Sequence, residues 1–192
     1  RGYINNSINT NMSLFAKKLF LNLNPLVESY DLTKQTEPMF YIDLEHVNPN
    51  LIRVLNEQDI TLLTPLCFYK KPLSRGKMHI DGLNPGDYTK LNYIITGNNS
   101  FMEWYEVPLT NIPIPSKVNI NGGGNYLEFS SRNNVLLEKQ VLSGWNLVQA
   151  GVPHNVFNYC NTPRYCISFT IYYRNNRITM QEGLDLFSQY FN

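Results

Sequence analysis

Residues 164–171 read Arg164-Tyr165-Cys166-Ile167-Ser168-Phe169-Thr170-Ile171 and alternate between small or polar residues and large apolar ones. Successive side chains of a β-strand point to opposite faces of the sheet, so this stretch has two chemically different sides. Arg164, Cys166, Ser168 and Thr170 suit the lining of a site, whereas the four residues between them suit a packed exterior. The sequence therefore predicts a strand with one functional face and one structural face.

The chain around this stretch is a succession of short strands divided by turn residues. Strands are predicted over 40–44, 62–70, 77–81, 90–96, 101–107, 125–129, 135–141, 145–150, 154–158 and 165–173. Aromatic residues are abundant, with 13 Tyr and 10 Phe, and they favour strands over helical bundles. So many short strands at even spacing predict a mainly β protein, built as a sandwich, barrel or jelly roll.

A few helices are expected to flank these strands. Asn48-Pro49 forms a helix start, with Asn as the N-cap and Pro at the first helical position. Thr179 and Glu182 form a capping box that begins a C-terminal helix over about 180–191. The apolar stripe of that helix consists of Met180, Leu184, Phe187 and Phe191. We expect both helices to pack on the outside of a sheet.

The domain organisation follows from the length and from the ends of the chain. A chain of 192 residues is most simply a single domain, covering 1–192. Its core is expected over approximately 62–173, after a loose, Asn-rich N-terminal arm at 1–12. Residues 14–21 fit a helix or a strand, and periodicity does not decide between them.

Charge and cysteine content bear on the partners and on the compartment of the protein. The formal net charge is +1 and no run of like charges occurs, so there is no clear nucleic-acid or membrane signal. The three cysteines do not resemble a disulfide framework, the first residues show no signal-peptide pattern, and no apolar run is long enough to span a bilayer. We therefore expect a cytoplasmic protein in a reducing, intracellular environment. The sequence does not determine its oligomeric state.

A candidate metal site is formed by two distant segments. In Lys77-Met78-His79-Ile80-Asp81-Gly82, alternation on a strand lets His79 and Asp81 point at the same spot. Adding His154 gives two imidazoles and one carboxylate, the facial set that leaves non-haem Fe(II) open positions. An H-x-D tripeptide or a Pro-His pair is common by chance. Their combination on predicted strands is more specific, because two of only three histidines fall there. The third, His46, is interpreted as a plain surface or supporting residue.

Two further polar residues are candidates for binding a ligand of that metal. Arg164 lies ten positions after His154 and offers a planar, permanently charged fork suited to a carboxylate. The alternative for Arg164 is a surface ion pair. Asn92 is a second candidate contact, with Thr96 on its face of the strand, and an ordinary edge-strand amide is an equally good interpretation.

Together, His79-x-Asp81, His154 and Arg164 resemble the H-x-D…H…R motif of the Fe(II)- and 2-oxoglutarate-dependent oxygenase superfamily. The resemblance covers approximately 62–173 and implies a double-stranded β-helix, also called a jelly roll. It also implies that the first three residues bind Fe(II) and that Arg164 pairs with the distal carboxylate of 2-oxoglutarate. The helix-then-strands order upstream further resembles the prolyl-hydroxylase-like branch.

This resemblance implies an activity. With Fe(II), 2-oxoglutarate and O₂, the protein is expected to form succinate and CO₂ while hydroxylating a C–H bond of a small molecule or of a peptide side chain. One alternative is a non-catalytic jelly-roll binding module of the carbohydrate type, using Trp104 and Trp145 as exposed aromatics. Another is a cupin-like metalloprotein without 2-oxoglutarate, although cupins usually use more histidines than this chain has.

The mouth of the site is expected to be formed by loops. The sequence predicts them at 82–88, 97–101 and 111–124, which are rich in Asn, Gly and Pro. The first of these follows Asp81 directly and contains Gly82 and Gly86, so we expect it to act as a mobile lid.

Overall fold

A computed structural model describes residues 13–35, 37–95, 99–117 and 125–191, and within these ranges the protein is mainly β. The strands are β1 (Ala16–Lys18), β2 (Met39–Tyr41), β3 (Ile60–Leu62), β4 (Leu66–Lys70), β5 (Ser74–Arg75), β6 (His79–Asp81), β7 (Thr89–Ile94), β8 (Ser100–Glu106), β9 (Ile114–Lys117), β10 (Asn125–Glu128), β11 (Val135–Val141), β12 (Gly144–Gln149), β13 (His154–Asn158), β14 (Arg164–Tyr173) and β15 (Asn176–Arg177). The helices are α1 (Pro49–Asn56) and α2 (Met180–Leu186). Short 3-10 turns cover Leu32–Lys34, Leu44–His46 and Ser188–Tyr190.

The strands form two antiparallel sheets that face each other. The larger sheet has the order β1-β12-β7-β14-β4-β2, with β3 and β15 also paired to β14. The smaller sheet has the order β11-β8-β13-β6-β10-β9, with β5 paired to β13. Four core strands belong to the larger sheet (β4, β7, β12 and β14) and four to the smaller one (β6, β8, β11 and β13). Along the chain the core strands alternate between the sheets, except that β8 and β11 both lie in the smaller sheet and are connected through β9 and β10. This is the double-stranded β-helix, or jelly roll, so the predicted fold is confirmed.

The outer face of the larger sheet carries the main apolar core. Ile167 and Phe169 of β14 are fully buried there, together with Leu51 and Leu55 of α1. Phe187, directly after α2, is also fully buried in this cluster. Burying an aliphatic or aromatic side chain of this size contributes about 1.5–3 kcal/mol, so this layer supplies much of the folding free energy. Both helices therefore pack on the outside of the sheet, as predicted.

The helix starts also agree with the sequence. Asn48 accepts a hydrogen bond from the Asn50 backbone N–H at 3.0 Å, and Pro49 begins α1. In the capping box of α2, Thr179 Oγ1 accepts from the Glu182 N–H at 3.2 Å. Glu182 Oε2 accepts from the Thr179 N–H at 2.8 Å. These bonds satisfy backbone donors that the first turn of a helix leaves unpaired.

Several predicted boundaries were wrong. The strand expected over 62–70 is two strands, β3 and β4, interrupted before Pro65, which has no N–H to donate to a ladder. The C-terminal helix ends at Leu186 instead of 191, because the backbone leaves helical geometry at Phe187 and continues as a 3-10 turn. The ambiguous segment 14–21 contains the strand β1.

The predicted loops at 97–101 and 111–124 also need correction. Strand β8 already begins at Ser100, and β9 occupies Ile114–Lys117, paired to β10. Residues 118–124 of the second predicted loop and residues 97–98 of the first lie outside the described residues. The predicted N-terminal arm at 1–12 lies outside them as well. Among the helices that the structure describes, none is long and apolar enough to cross a membrane.

Candidate metal centre

A cavity of about 1290 Å³ lies between the two sheets. From β14, it is lined by Arg164, Cys166, Ser168 and Thr170, which are the polar set of the alternating stretch, and also by Ile171 at the end of that stretch. Their apolar neighbours along the strand pack in the outer core. The expected two-faced strand is thus observed, and its polar side faces the interior of the jelly roll.

The three predicted metal ligands meet in this cavity. His79 and Asp81 lie on β6, and His154 opens β13 directly opposite His79 in the strand pairing. The two imidazole rings have centroids 4.5 Å apart, and His79 Nε2 lies 3.5 Å from Asp81 Oδ1. One ligand atom from each of the three residues lies within 4.8 Å of the others. This spacing brings two nitrogens and one oxygen close enough to share a single cation.

Backbone carbonyls fix the orientation of both imidazoles. His79 Nδ1 lies 2.8 Å from the carbonyl oxygen of Lys77, and His154 Nδ1 lies 2.9 Å from that of Val152. A carbonyl can only accept, so each Nδ1 carries a proton. The Nε2 atom of each neutral imidazole then presents a lone pair. Metal-binding histidines in proteins are held in this way by the hydrogen bond of their other ring nitrogen.

A lysine that the sequence analysis did not single out places a positive charge beside the Asp81 carboxylate. Lys90 Nζ lies 2.7 Å from Asp81 Oδ2. Burial alone would raise the pKa of Asp81, but the Lys90 charge and the nearby imidazoles hold it well below its usual value. Burial, assisted by the charge of His79, lowers the pKa of His154 to about 4. At neutral pH the site therefore offers a carboxylate and an uncharged His154, the forms that bind metal.

The signal for Lys90 was present in the sequence. Lys90 and Asn92 alternate with Leu91 and Tyr93 on β7, and side chains two positions apart on a strand lie on the same face. Periodicity could not show that this face meets Asp81, because β6 and β7 belong to different sheets.

The predicted co-substrate residues lie deeper in the same cavity. Arg164 is 3 % exposed and its Nε donates to Ser100 Oγ at 3.1 Å. It is paired across the strands with Lys70, a second lining cation that the sequence analysis missed. Burial lowers the pKa of Lys70, and the charge of Arg164 lowers it further. A buried arginine beside a partly buried lysine makes this end of the cavity attractive to an anion. A surface ion pair for Arg164 is thereby excluded.

Asn92 also faces the cavity, directly opposite Ser168 in the pairing of β7 with β14. It is 8 % exposed, and its Oδ1 atom has no hydrogen-bond partner among the described residues. Buried polar atoms in folded proteins normally have a partner, so an unsatisfied one in a cavity indicates a place for a ligand or for water. The strand is central in its sheet, so the edge-strand interpretation was wrong. Thr96 lies outside the described residues.

The loop after Asp81 is more firmly attached than the lid prediction assumed. The Gly86 N–H donates to the Gly151 carbonyl at 3.2 Å, and the Tyr88 N–H donates to Gln149 Oε1 at 3.1 Å. Asp87 accepts from the Met180 N–H at 2.8 Å. The second half of the loop is therefore fastened to β12 and to the start of α2. Only its first half, from Leu83 to Pro85, is without such bonds among those that the structure describes.

The tryptophans do not form an exposed platform. Trp104 is 0 % exposed and its Nε1 donates to the Gln149 carbonyl at 2.9 Å. Trp145 is 3 % exposed and its Nε1 donates to the Leu23 carbonyl at 2.7 Å. The aromatic surface expected for a carbohydrate-binding module is thus absent at these two positions. His46 lies away from the cavity, with its ring 4.7 Å from that of Tyr30.

Comparisons with known proteins support no family assignment. No family model and no curated protein matches the chain. A single-substitution variant of oxalate decarboxylase from Bacillus subtilis is similar at 13% identity and a TM-score of 0.34, covering 81% of this chain and 32% of that one. E. coli ycfD is similar at 14% identity and a TM-score of 0.32, covering 69% and 30%.

Peruvianin-I, a cysteine peptidase from Thevetia peruviana latex, is similar at 14% identity and a TM-score of 0.35, covering 83% of both chains. This chain spans about a third of the length of the oxalate decarboxylases that it resembles. Likenesses at this level add nothing to a functional argument, which therefore rests on the residues of this chain.

Proposed function

We propose that this protein is an Fe(II)- and 2-oxoglutarate-dependent oxygenase that hydroxylates a C–H bond of its substrate and releases succinate and CO₂. One observation carries the proposal. His79, Asp81 and His154 converge with both Nε2 atoms available, in a cavity that also contains the buried Arg164. The motif was predicted from residue types on predicted strands and from the family resemblance, and its members meet although Asp81 and His154 lie 73 positions apart in the chain.

The donor set fits a divalent transition metal. Two imidazole nitrogens and one carboxylate oxygen on one side are the ligands that non-haem Fe(II) uses in oxygenases. The bound metal would supply the redox chemistry that couples 2-oxoglutarate decarboxylation by O₂ to oxidation of the substrate. The protein's part is to hold the ligands in place and keep bulk water away from the reaction.

Lys90 has a supporting role in this proposal. Asp81 Oδ1 faces His79, whereas Asp81 Oδ2 is held by Lys90 at 2.7 Å. Asp81 Oδ1 is thereby left free to bind the metal, whereas Oδ2 is paired with Lys90. Hydrogen bonds of this kind around a metal site orient its ligands and tune its affinity.

The other end of the cavity suits the distal carboxylate of 2-oxoglutarate. Arg164 offers a planar guanidinium that Ser100 holds through Nε. Lys70 adds a second positive charge, and Asn92 and Ser168 add polar atoms along the path to the metal. Charge-assisted hydrogen bonds in a buried site are stronger than neutral ones, so a carboxylate is well stabilised here.

A cupin-like metalloprotein without 2-oxoglutarate is the second candidate. The observation that favours it is the cation pair itself, because Lys70 and Arg164 together would accept any small carboxylate. In that case the metal would bind as above, and succinate would not be formed.

The proposal is tested by measuring metal binding, co-substrate binding and turnover on one set of variants. Metal-free protein is melted alone, with Mn(II), and with Mn(II) plus 2-oxoglutarate; aerobic Fe(II) samples are assayed for succinate. A ligand at 100 times its Kd stabilises the folded state by about 2.7 kcal/mol. We expect stepwise stabilisation of the parent and of His46→Ala, and no stabilisation by metal of His154→Ala.

Each result separates the candidates. Stabilisation by metal without any effect of 2-oxoglutarate, and no succinate, would favour the cupin-like alternative. Equal metal stabilisation of His154→Ala and the parent would remove the triad as the metal site. His46 lies outside the cavity and forms a second candidate metal group with Asp43 and Glu45, so unchanged stabilisation of His46→Ala shows that the metal does not bind there.

A further inference from the structure

The cavity has a second cationic end, on the other side of the triad from Arg164. Along β14, Arg164 pairs with Lys70, Thr170 pairs with Lys90, and Tyr172 pairs with Arg177. Eight residues separate the first and last of these positions on β14, which is about 26 Å at the usual strand rise of about 3.3 Å per residue. A five-carbon keto acid cannot reach both ends. A group bound near Arg177 must therefore belong to another molecule or to a much longer one.

Three residues form a small cradle at this second end. Gly82 has a φ of +99°, a conformation that glycine adopts readily and other residues do not. A Cβ atom on Gly82 would lie 3.2 Å from the Tyr88 hydroxyl and 4.0 Å from Arg177 Nη1. A side chain at this position would therefore crowd the Tyr88 hydroxyl, so Gly82 leaves both hydrogen-bond donors uncovered. All three residues line the cavity, and Gly82 directly follows Asp81.

The two donors are held together, and Arg177 also interacts with the side chain of Tyr172. The guanidinium carbon of Arg177 lies 4.8 Å from the centroid of the Tyr88 ring, so the charged group is stacked on that ring. Tyr88 is 9 % exposed, and its hydroxyl interacts with Arg177 but makes no hydrogen bond of normal geometry in the part of the chain that the structure describes. A buried hydroxyl without such a bond is costly, which indicates that a ligand atom or water completes it.

Charge around the cavity points to an anion at this end. Five lining side chains are cationic, namely Lys70, Lys77, Lys90, Arg164 and Arg177, against the carboxylates of Glu37 and Asp81. Lys77 is paired with Glu128, and Lys90 with Asp81. Within the described ranges, no salt bridge joins Arg177 to a carboxylate. A planar guanidinium beside a hydroxyl donor suits the oxygens of a carboxylate or phosphate.

We propose that Gly82, Tyr88 and Arg177 form a subsite for an oxyanion group, a carboxylate or a phosphate, on the substrate that is oxidised. Its identification as the substrate subsite rests on the proposed oxygenase function, whereas the binding of the anion itself does not. The substrate is then an anion that enters at the exposed Arg177 and directs a C–H bond toward the triad. Arg164 and Lys70 remain for the co-substrate at the opposite end.

The test measures binding of three small probes that differ in their charged group. Phenylacetate and phenyl phosphate carry the two oxyanions, and phenylacetamide is the neutral match to the first. Ligand-observed NMR titrations are run on Mn(II)-loaded protein with saturating 2-oxoglutarate, which occupies the Arg164 end. We expect at least one of the two anions to bind at least tenfold more tightly than phenylacetamide. The anion that binds more tightly shows whether the subsite prefers a carboxylate or a phosphate.

Four variants assign the binding to the cradle. Arg177→Gln is expected to weaken binding of the anions at least tenfold, without affecting phenylacetamide. Tyr88→Phe and Gly82→Ala are expected to weaken it severalfold, the first by removing a donor and the second by crowding the Tyr88 hydroxyl. Arg174→Gln is the matched control, since Arg174 also stacks on a tyrosine, at 4.9 Å from the Tyr173 ring, but does not line the cavity.

The outcomes separate this proposal from the oxygenase assignment. Equal anion binding by Arg177→Gln, Tyr88→Phe and the parent would overturn the subsite, as would equal binding of phenylacetate and phenylacetamide. The titrations are repeated without metal and 2-oxoglutarate. Arg177-dependent anion binding there, together with no succinate formation in the turnover assay, would retain the anion subsite and reject the oxygenase function.

Discussion

The two faces of the larger sheet are built from the same strands and are almost equally buried, yet their chemistry is opposite. On the outer face, Ile167 and Phe169 are fully buried against the helices. On the inner face, Arg164 and Ser168 are each 3 % exposed and line the cavity. Burying apolar side chains is favourable, whereas burying a cation is costly unless it is paired. The outer face therefore accounts for stability, and the inner face retains its polar groups for a purpose other than stability.

The largest expected effect is on the outer face. Phe169→Ala removes a fully buried ring, and such substitutions reduce the free energy of unfolding by about 3–5 kcal/mol. Urea denaturation followed by circular dichroism measures it. Thr170→Ala, the next residue, faces the cavity and is the control, with an expected loss below about 1 kcal/mol. Similar losses for the two variants would contradict the division of the strand into two faces.

The next effect is on binding at the inner face. Arg164→Ala is expected to weaken 2-oxoglutarate binding by about 2–5 kcal/mol, the usual consequence of removing one partner of a buried charge pair. Isothermal titration calorimetry on Mn(II)-loaded protein measures the change, and metal affinity should stay the same. Arg53→Ala, at an exposed helix position, is the control. Unchanged 2-oxoglutarate affinity in Arg164→Ala would give this arginine a structural role only.

A smaller effect on the free energy of unfolding is expected for two asparagines that are paired across neighbouring strands. The side chain of one of them is hydrogen-bonded, and the side-chain oxygen of the other is not. Asn92 and Asn146 face each other across β7 and β12. Asn92 Oδ1 has no partner among the described residues, whereas Asn146 Nδ2 donates to the Ser143 and Gly144 carbonyls at 3.2 and 2.9 Å. An unsatisfied buried polar group costs about 1–3 kcal/mol. Asn92→Leu should therefore leave the unfolding free energy unchanged or raise it, while Asn146→Leu should lower it.

The same pair of variants also reports on binding. Asn92→Leu is expected to weaken 2-oxoglutarate binding, since the asparagine is retained in spite of its cost to stability. Thermal melts with and without 2-oxoglutarate measure both quantities on each variant. If Asn92→Leu lowers stability and leaves co-substrate binding unchanged, Asn92 belongs to the structural part of the protein.

The smallest effect concerns a helix on the outer face. Thr179→Ala removes the side chain that caps α2, and the loss of such a cap costs about 1 kcal/mol of stability. A shift in the urea midpoint measures it, and metal and 2-oxoglutarate binding should stay as in the parent. Thr179→Ser keeps the hydroxyl and is expected to retain most of the stability. A loss of ligand binding in Thr179→Ala alone would show that the two faces are coupled.

Much of the fold could be predicted because its signals are local or have period two. The alternation over 164–171 fixed which side chains share a face, since a strand permits only two. The caps at Asn48 and Thr179 marked the starts of both helices, because backbone donors in a first turn need nearby partners. The ends were less predictable. The last turn of a helix depends on packing, and α2 stops where Phe187 enters the core.

The sequence by itself determined that His79 and Asp81 share one face of a strand and that Arg164 lies on the polar face of another, because side chains alternate along a strand. Tertiary structure alone decided which charges meet. Lys90 reaches Asp81 from the opposite sheet, and Arg177 comes to lie beside Gly82 from a strand 95 residues later. The physical reason is that strand order in a jelly roll is set by how two sheets close on each other, and no local period encodes that closure.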